Sequence, residues 1–217
     1  MTALQTAIPA PPPGEEDNAK RRQILQGAHR VFMTLGFDGA SMGEIAKAAG
    51  VSKGTLYVYF TDKAQLFEAM VEQECAVQNS TVFQIDPTNP DVAATLTKIG
   101  TGYISVLGRP QGATAIRTVM AIAERMPEIG RRYYENVPAA WTTRLASYLD
   151  AQVAAGRLAV PDTFLAASQF LHCCQATLFL PYILQAAPPP PQDKIATVVA
   201  SAVKLFLAGY AVKPIKG

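Results

Sequence analysis

The sequence predicts an all-α protein of about nine helices. Apolar residues recur at helical spacing along nearly the whole chain, no run keeps the period-two alternation of a half-buried strand, and no Asn-Gly turn joins two apolar runs. Breakers also divide the chain at helix-sized intervals: Gly36, Gly50, Pro87 with Pro90, Gly108-Arg109-Pro110, Pro127, Gly156 with Pro161, and the run Pro188 to Pro191.

The first helix is expected to start near Asn18, a good N-cap, and to carry Ile24, Ala28, Val31, Phe32 and Leu35 on one face before Gly36 ends it. Phe37 to Ala40 is a turn. Ser41-Met42-Gly43-Glu44 reads as a capping box, the serine oxygen taking a backbone N–H while the glutamate reaches back. A short helix follows through Ile45, Ala46 and Ala49 to Gly50, and Ser52 caps a second, from Lys53 to Phe60. Thr61-Asp62 opens a longer helix towards Phe83. Beyond the prolines, helices are expected at about 91–108, 111–125, 128–155, 162–186 and 192–211.

With 217 residues, 49% of them hydrophobic, the chain is long enough for a proper core and too apolar to be disordered throughout. Three cysteines exclude a disulfide-built scaffold, and a net charge of +2 excludes a histone-like polycation. That +2 is a cancellation. Residues 1–17 carry −3, residues 18–63 carry +4, and residues 64–217 carry +1. The expected organisation follows: a disordered Pro-rich acidic arm at 1–17, a basic helical unit at 18–63, and a near-neutral remainder at 64–217.

Met1 to Pro13 has no basic region followed by an apolar run, so it is not read as a secretory signal. Residues 163–192 contain no Asp, Glu, Lys or Arg, but Ser168, Gln169, His172, Gln175, Thr177, Pro181 and Gln185 interrupt them. Buried helix is expected rather than a membrane span. The cytoplasm is the expected location, with no membrane partner.

The unit from Ser41 to Phe60 has helix-turn-helix spacing: a capped helix, a turn holding Gly50, and a second short helix. Such a unit lays the N-terminal part of its second helix in the DNA major groove. Here that part is Ser52-Lys53-Gly54-Thr55, small, polar or cationic, followed by Tyr57, Tyr59 and Lys63. Hydroxyls, lysines and helix N-termini are the usual phosphate contacts. The expected DNA-binding set is therefore Ser41, Met42, Ser52, Lys53, Gly54, Thr55, Tyr57, Tyr59 and Lys63.

Residues 23–67 resemble the DNA-binding domain of the tetracycline-repressor (TetR) family. The matching residues are Ile24-Leu25, Ala28, Phe32, Gly36-Phe37, Ser41-Met42, Glu44-Ile45-Ala46, the run Ala48 to Tyr57, Tyr59-Phe60, Lys63 and Leu66. Gly27, where the family usually has alanine, and Val58, where it usually has an aromatic or polar residue, depart from the pattern. Ile122-Ala123-Glu124-Arg125-Met126-Pro127-Glu128-Ile129 with Tyr133-Tyr134-Glu135 resembles the AefR-like subgroup. The resemblance implies a transcriptional repressor that acts as a homodimer on a palindromic double-stranded DNA operator. It also implies a C-terminal ligand pocket and a four-helix bundle made by the last two helices of each copy.

Ligand pockets are mostly apolar with a few convergent polar groups. Ser168, His172, Gln175 and Phe179 share a stripe on helix 162–186, Trp141, Leu145 and Tyr148 share one on helix 128–155, and Tyr103, Arg117, Met120 and Glu124 lie on the helices between. Each of these is a candidate pocket residue for a small, mostly apolar inducer. Core packing is the alternative for His172, Trp141 and Tyr148, and a solvated or paired face for Arg117 and Glu124. Helix 162–186, apolar nearly all round, is expected to be buried on two sides. The candidate dimer-face residues are Phe170, Leu178, Val198, Val199, Ala202, Leu205 and Phe206. Adjacent cysteines on a helix point about 100° apart, so Cys173 and Cys174 are read as inert thiols, and neither metal nor cofactor is expected. Two other functions stay open: a DNA-binding regulator without a small ligand, controlled by a protein partner or acting as an activator, and an all-helical enzyme built on His172 with Cys173 or Glu124.

Overall fold

A computed structural model describes residues 15–82 and 85–212, with the backbone alone at 15, 16, 74–82 and 111. Of the arm expected at 1–17, residues 1–14 lie outside the described residues, as does the side chain of Cys75, while residues 15–17 are helical and not part of a disordered arm. The chain forms two compact units that divide after Met70.

The first unit begins with α1 (Glu15–Gly39), which starts three residues before Asn18. Glu15, Glu16 and Asp17 occupy its first turn, where negative charge is favoured by the helix dipole. Gly36 breaks α1 at φ 69°, in the left-handed region, as its place in the sequence requires. Leu35 does not join the buried face and is 47% exposed. Helix α2 (Met42–Ala49) carries the full capping box: Glu44 N–H donates to Ser41 Oγ at 3.2 Å, and Ser41 N–H donates to the Glu44 carboxylate at 2.9 Å. Gly50 closes α2 in the left-handed conformation. Helix α3 (Lys53–Tyr59) is capped by Ser52, whose Oγ accepts from Thr55 N–H at 3.0 Å. Asp62 starts α4 (Lys63–Val82) by accepting from Gln65 N–H at 2.9 Å.

These short helices hold because they bury one shared core. Ile24, Ala28, Phe32, Ile45, Leu56, Leu66 and Phe67 are fully buried. Phe32 meets Phe67 edge-on at 5.1 Å and stacks on Phe37 at 5.9 Å. Gly27 explains its own departure from the family pattern: a Cβ there would lie 2.6 Å from Ala49 Cα, so glycine lets α1 and α2 touch backbone to backbone.

The second unit contains α5 (Val92–Leu107), α6 (Pro110–Ile122), α7 (Pro127–Tyr134), α8 (Ala140–Ala154), α9 (Thr163–Ile183) and α10 (Gln192–Tyr210). Asp91 and Asp162 cap α5 and α9, and Pro110 and Pro127 sit at the starts of α6 and α7. The single helix expected over 128–155 changes pitch midway. Glu135–Ala139 is a π turn, because Pro138 has no N–H for the normal ladder and the wider turn accommodates it. Counting α7 through α8 as one helix restores the expected nine; ten α-helices are distinct among the described residues.

Ile99, Trp141, Leu145, Tyr148, Phe170, Ile195 and Val199 form the second core. At Gly100 a Cβ would come within 2.9 Å of Cys174 Sγ and 3.0 Å of Val199 Cγ1, so α5 lies close against both α9 and α10. Gln152 is wholly buried and fully used, donating to Pro87 O at 2.9 Å and accepting from Arg157 Nε at 2.7 Å. The end of α10 is clipped back by an isolated bridge between Leu158 and Ala211.

Within the protomer, helix α9 is buried along one side, through Ala166, Phe170, Leu171, Cys174, Leu178 and Tyr182. By length and composition it could cross a membrane, and 33% of its apolar stretch is covered in the protomer. Its backbone breaks at Ala176, ahead of Pro181, which cannot bond the Thr177 carbonyl.

Candidate functional site

Two places on the molecule concentrate chemistry, one in each unit. In the first, the helix-turn-helix sorts its polar side chains into structural and exposed groups. Ser41 and Ser52 engage their own helix N-termini, and Ser52 Oγ also lies 2.8 Å from Thr55 Oγ1. Met42 is half-buried beside the capping box. Lys63 is tied down: its ammonium donates to Phe37 O at 2.6 Å and Ala40 O at 3.0 Å and lies 4.5 Å from the centre of the Phe37 ring. It closes the turn between α1 and α2, a role its place after the helix-turn-helix did not signal. Tyr59 is half-buried and donates to Asp17 Oδ1 at 2.5 Å. That bond, with some desolvation and the nearby charge, raises the Tyr59 phenol above its ordinary pKa.

What remains outward is the start and outer face of α3: Lys53, Gly54, Tyr57 and Val58. Val58, where the chain departs from the family pattern, was not among the candidates and is 82% exposed on the same face. Gly43 leaves room for Lys53, since a Cβ there would sit 3.0 Å from Lys53 Cε. The +4 of residues 18–63 thus divides by role: Lys63 closes the α1–α2 turn, and Arg30 donates to the Ala48 carbonyl.

In the second unit, α5, α6, α7, the π turn, α8 and α9 line a partly open cavity of about 310 Å3. Tyr103, Trp141, Ser168, His172, Gln175 and Phe179 line it, so the whole α9 stripe converges there. The other five candidates do not. Met120 is 65% exposed, Glu124 is exposed, Leu145 is buried in the core, and Arg117 donates to Thr114 Oγ1 at 3.0 Å. Tyr148 lines a separate hollow with Arg144 and Ser147, and its hydroxyl donates to Asn89 O at 3.2 Å. Reading the sequence missed Tyr133, Tyr134, Val137 and Pro138, which the π turn brings to the cavity wall. Pro138 inside an expected helix was the available signal.

The cavity's polar atoms form a small network. Gln175 Nε2 donates to the Tyr103 hydroxyl, and Tyr103 meets Trp141 edge-on at 5.2 Å. Burial pushes the Tyr103 phenol up to about 12. His172 Nδ1 lies 2.7 Å from Ser168 O, a carbonyl that can only accept, so Nδ1 carries the ring proton. Cys174 is buried against α5, and burial raises its thiol to about 12, whereas Cys173 is exposed. The two sulfurs therefore face different surroundings.

The candidate dimer-face residues split in a similar way. Phe170, Leu178, Val199, Ala202 and Phe206 are buried in the second unit's own core, where Phe170 meets Phe206 edge-on at 5.7 Å. Val198 is half-buried and Leu205 is 64% exposed. The apolar stripe most evident in the α10 sequence faces inward. A second stripe of Ala200, Ser201, Leu205 and Ala208 is exposed.

A helix-turn-helix unit followed by a separate helical unit around an apolar cavity defines a class: a two-unit helical protein whose first unit is a helix-turn-helix module. Residues 24–70 match the family model of bacterial regulatory proteins of the tetR family, and residues 94–212 match the C-terminal domain of AefR-like transcriptional repressors. The chain belongs to the TetR family, with an AefR-like C-terminal domain.

Solved structures agree. The crystal structure of a Mesorhizobium loti protein assigned to the TetR-family transcriptional regulators is 29% identical, with a TM-score of 0.84 over 90% of this chain and 98% of that one. The flavonoid-responsive regulator FrrA is 28% identical, with a TM-score of 0.77 over 91% of this chain and 100% of that one. The HTH-type transcriptional repressor AcnR of Corynebacterium efficiens is 35% identical over 69 residues, which are 32% of this chain and 37% of AcnR. The likeness to AcnR thus covers about a third of that relative.

Proposed function

We propose that this chain is a transcriptional repressor that binds a palindromic DNA operator as a homodimer and lets go when a small, mostly apolar molecule fills the cavity. The observation that carries the reading is the free N-terminal face of α3. Lys53, Gly54 and Tyr57 stand in solvent while Leu56 on the same helix, Phe60 at its end and Ile45 on α2 are buried. A helix start with a cation, a bare backbone and a hydroxyl suits phosphates and base edges.

The dimer is supported by what the protomer leaves uncovered. Leu165, Leu180 and Leu184 on and just beyond α9 and Leu205 on α10 are large exposed apolar side chains, among small residues that let helices approach closely. Two copies would place two α3 helices on half-sites one DNA turn apart, about 34–36 Å. The ligand step is supported by the cavity and by the name of FrrA, a relative described as flavonoid-responsive. Release requires the ligand to bind the DNA-free arrangement better than the DNA-bound one. The reading places the protein in the cytoplasm with its DNA and assigns it no catalytic step.

A footprinting experiment on the DNA flanking the protein's own gene tests this. The expected result is a two-fold symmetric protected site whose occupancy falls steeply with salt. Protection of one half-site only, or none above that of unrelated DNA, overturns it.

A further inference from the structure

The cavity's chemistry specifies its ligand more closely than "apolar"; the inference rests on the ligand reading above. Among the described residues that line it there is no Asp, Glu, Lys or Arg, so no permanently charged side chain there would neutralise an ionised ligand. Its aromatic walls include Tyr103, Trp141 and Phe179. The volume, about 310 Å3, lies at the lower end of the roughly 300–1,000 Å3 of small-molecule sites and suits a compound of two rings.

The polar atoms are pre-assigned as donors and acceptors. Tyr103 accepts the Gln175 amide on its oxygen, which leaves its own O–H to donate. That proton stays in place at neutral pH, because burial holds the phenol near 12. His172, exposed to solvent where it lines the cavity, has its Nδ1–H engaged by Ser168 O on its own helix, so Nε2 is the nitrogen left to meet a ligand, as an acceptor whenever the ring carries a single proton. One donor and one acceptor therefore stand among aromatic walls. We propose that the cavity binds an uncharged hydroxyaryl ketone or close relative, its carbonyl accepting from Tyr103 Oη and its phenolic hydroxyl donating to His172 Nε2.

The test uses the full chain and a matched series of two-ring probes in calorimetric titrations at pH 7: 4-hydroxybenzophenone, benzophenone without the hydroxyl, 4-benzylphenol without the carbonyl, and ionised 4-benzoylbenzoate. Trp141, the chain's single tryptophan, lines the cavity, so its fluorescence reports whether each probe enters there. 4-Hydroxybenzophenone is expected to bind about tenfold tighter than either singly substituted probe, with the carboxylate weakest. Tyr103→Phe should remove the advantage over 4-benzylphenol, and His172→Phe the advantage over benzophenone, with cooperative melting of each variant showing that it is folded.

Equal binding of benzophenone and 4-hydroxybenzophenone, tighter binding of the carboxylate, or binding of none of the four overturns the proposal, even if a variant fails to fold. Operator binding on the same preparation separates the two readings. If the operator is bound and no probe is, the ligand class is wrong and the repressor reading stands. If the probes bind in the expected order and leave the operator complex intact, the ligand class stands and the release step is wrong.

Discussion

Lys53, the first residue of α3, and Lys63, the first residue of α4, separate holding the fold from touching DNA. Lys63→Met keeps the aliphatic stem against Phe37 and deletes the ammonium that bonds the Phe37 and Ala40 carbonyls at 2.6 and 3.0 Å. Hydrogen bonds from a charged donor contribute about 1.5–3 kcal/mol each, and a cation over a ring near the surface about 0.5–1 kcal/mol. The group is half-buried, and water can reach the freed carbonyls, so the low end applies to each. The expected loss is about 3.5 kcal/mol, read as a lower urea midpoint at unchanged slope. Lys53→Met has no such bonds to lose. It should leave stability within about 0.5 kcal/mol, weaken operator binding, and lower the slope of log affinity against log salt by about one. If Lys63→Met unfolds with the wild type and itself lowers the salt slope, Lys63 is a phosphate contact and the structural role argued for it is wrong.

Gly27→Ala gains about 1 kcal/mol of helix propensity but drives a methyl to 2.6 Å from the Ala49 backbone, an overpacking cost of about 1–3 kcal/mol; a net loss of stability is expected in urea unfolding, and a gain would show that α1 and α2 can part freely. Asp17→Asn removes a negative charge from beside the reading helix and loosens the Tyr59 hydroxyl, so operator affinity should rise about two- to fivefold in low salt and converge with the wild type in high salt; no change at low salt refutes the idea that the acidic start of α1 opposes DNA. Tyr103 and Cys174, ordinarily at 10.0 and 9.0, are both raised to about 12 in the folded chain. Their protonated forms are favoured by folding, so stability holds below pH 9 and falls between about pH 9 and 12 as the unfolded chain ionises first. Denaturation followed across that window should show the fall, and Tyr103→Phe should flatten its upper part.

The capped and glycine-terminated parts of this fold were legible residue by residue. Ser41 with Glu44, Ser52, Gly36 and Gly50 act within a few residues of themselves, so their chemistry is written in the local sequence. The α9 stripe of Ser168, His172, Gln175 and Phe179 was legible for the same reason: helical spacing alone puts those side chains on one face. On α10 the sequence showed the apolar set Ile195, Val198, Val199, Ala202, Leu205 and Phe206, but it could not say which of them turn inward.

By itself the sequence determined the helical class, the helix-turn-helix and its family, and the side chains that share each helical face. Tertiary structure alone decided what those faces meet. It sent Lys63 to two backbone carbonyls from the preceding turn, Arg117 and Glu124 away from the cavity, and Tyr133, Val137 and Pro138 into its wall. The physical reason is range. Caps, turns and periodicity are set by neighbours within one or two turns, whereas a cavity wall or a buried lysine bond depends on residues from distant parts of the chain meeting. No local signal encodes the partner.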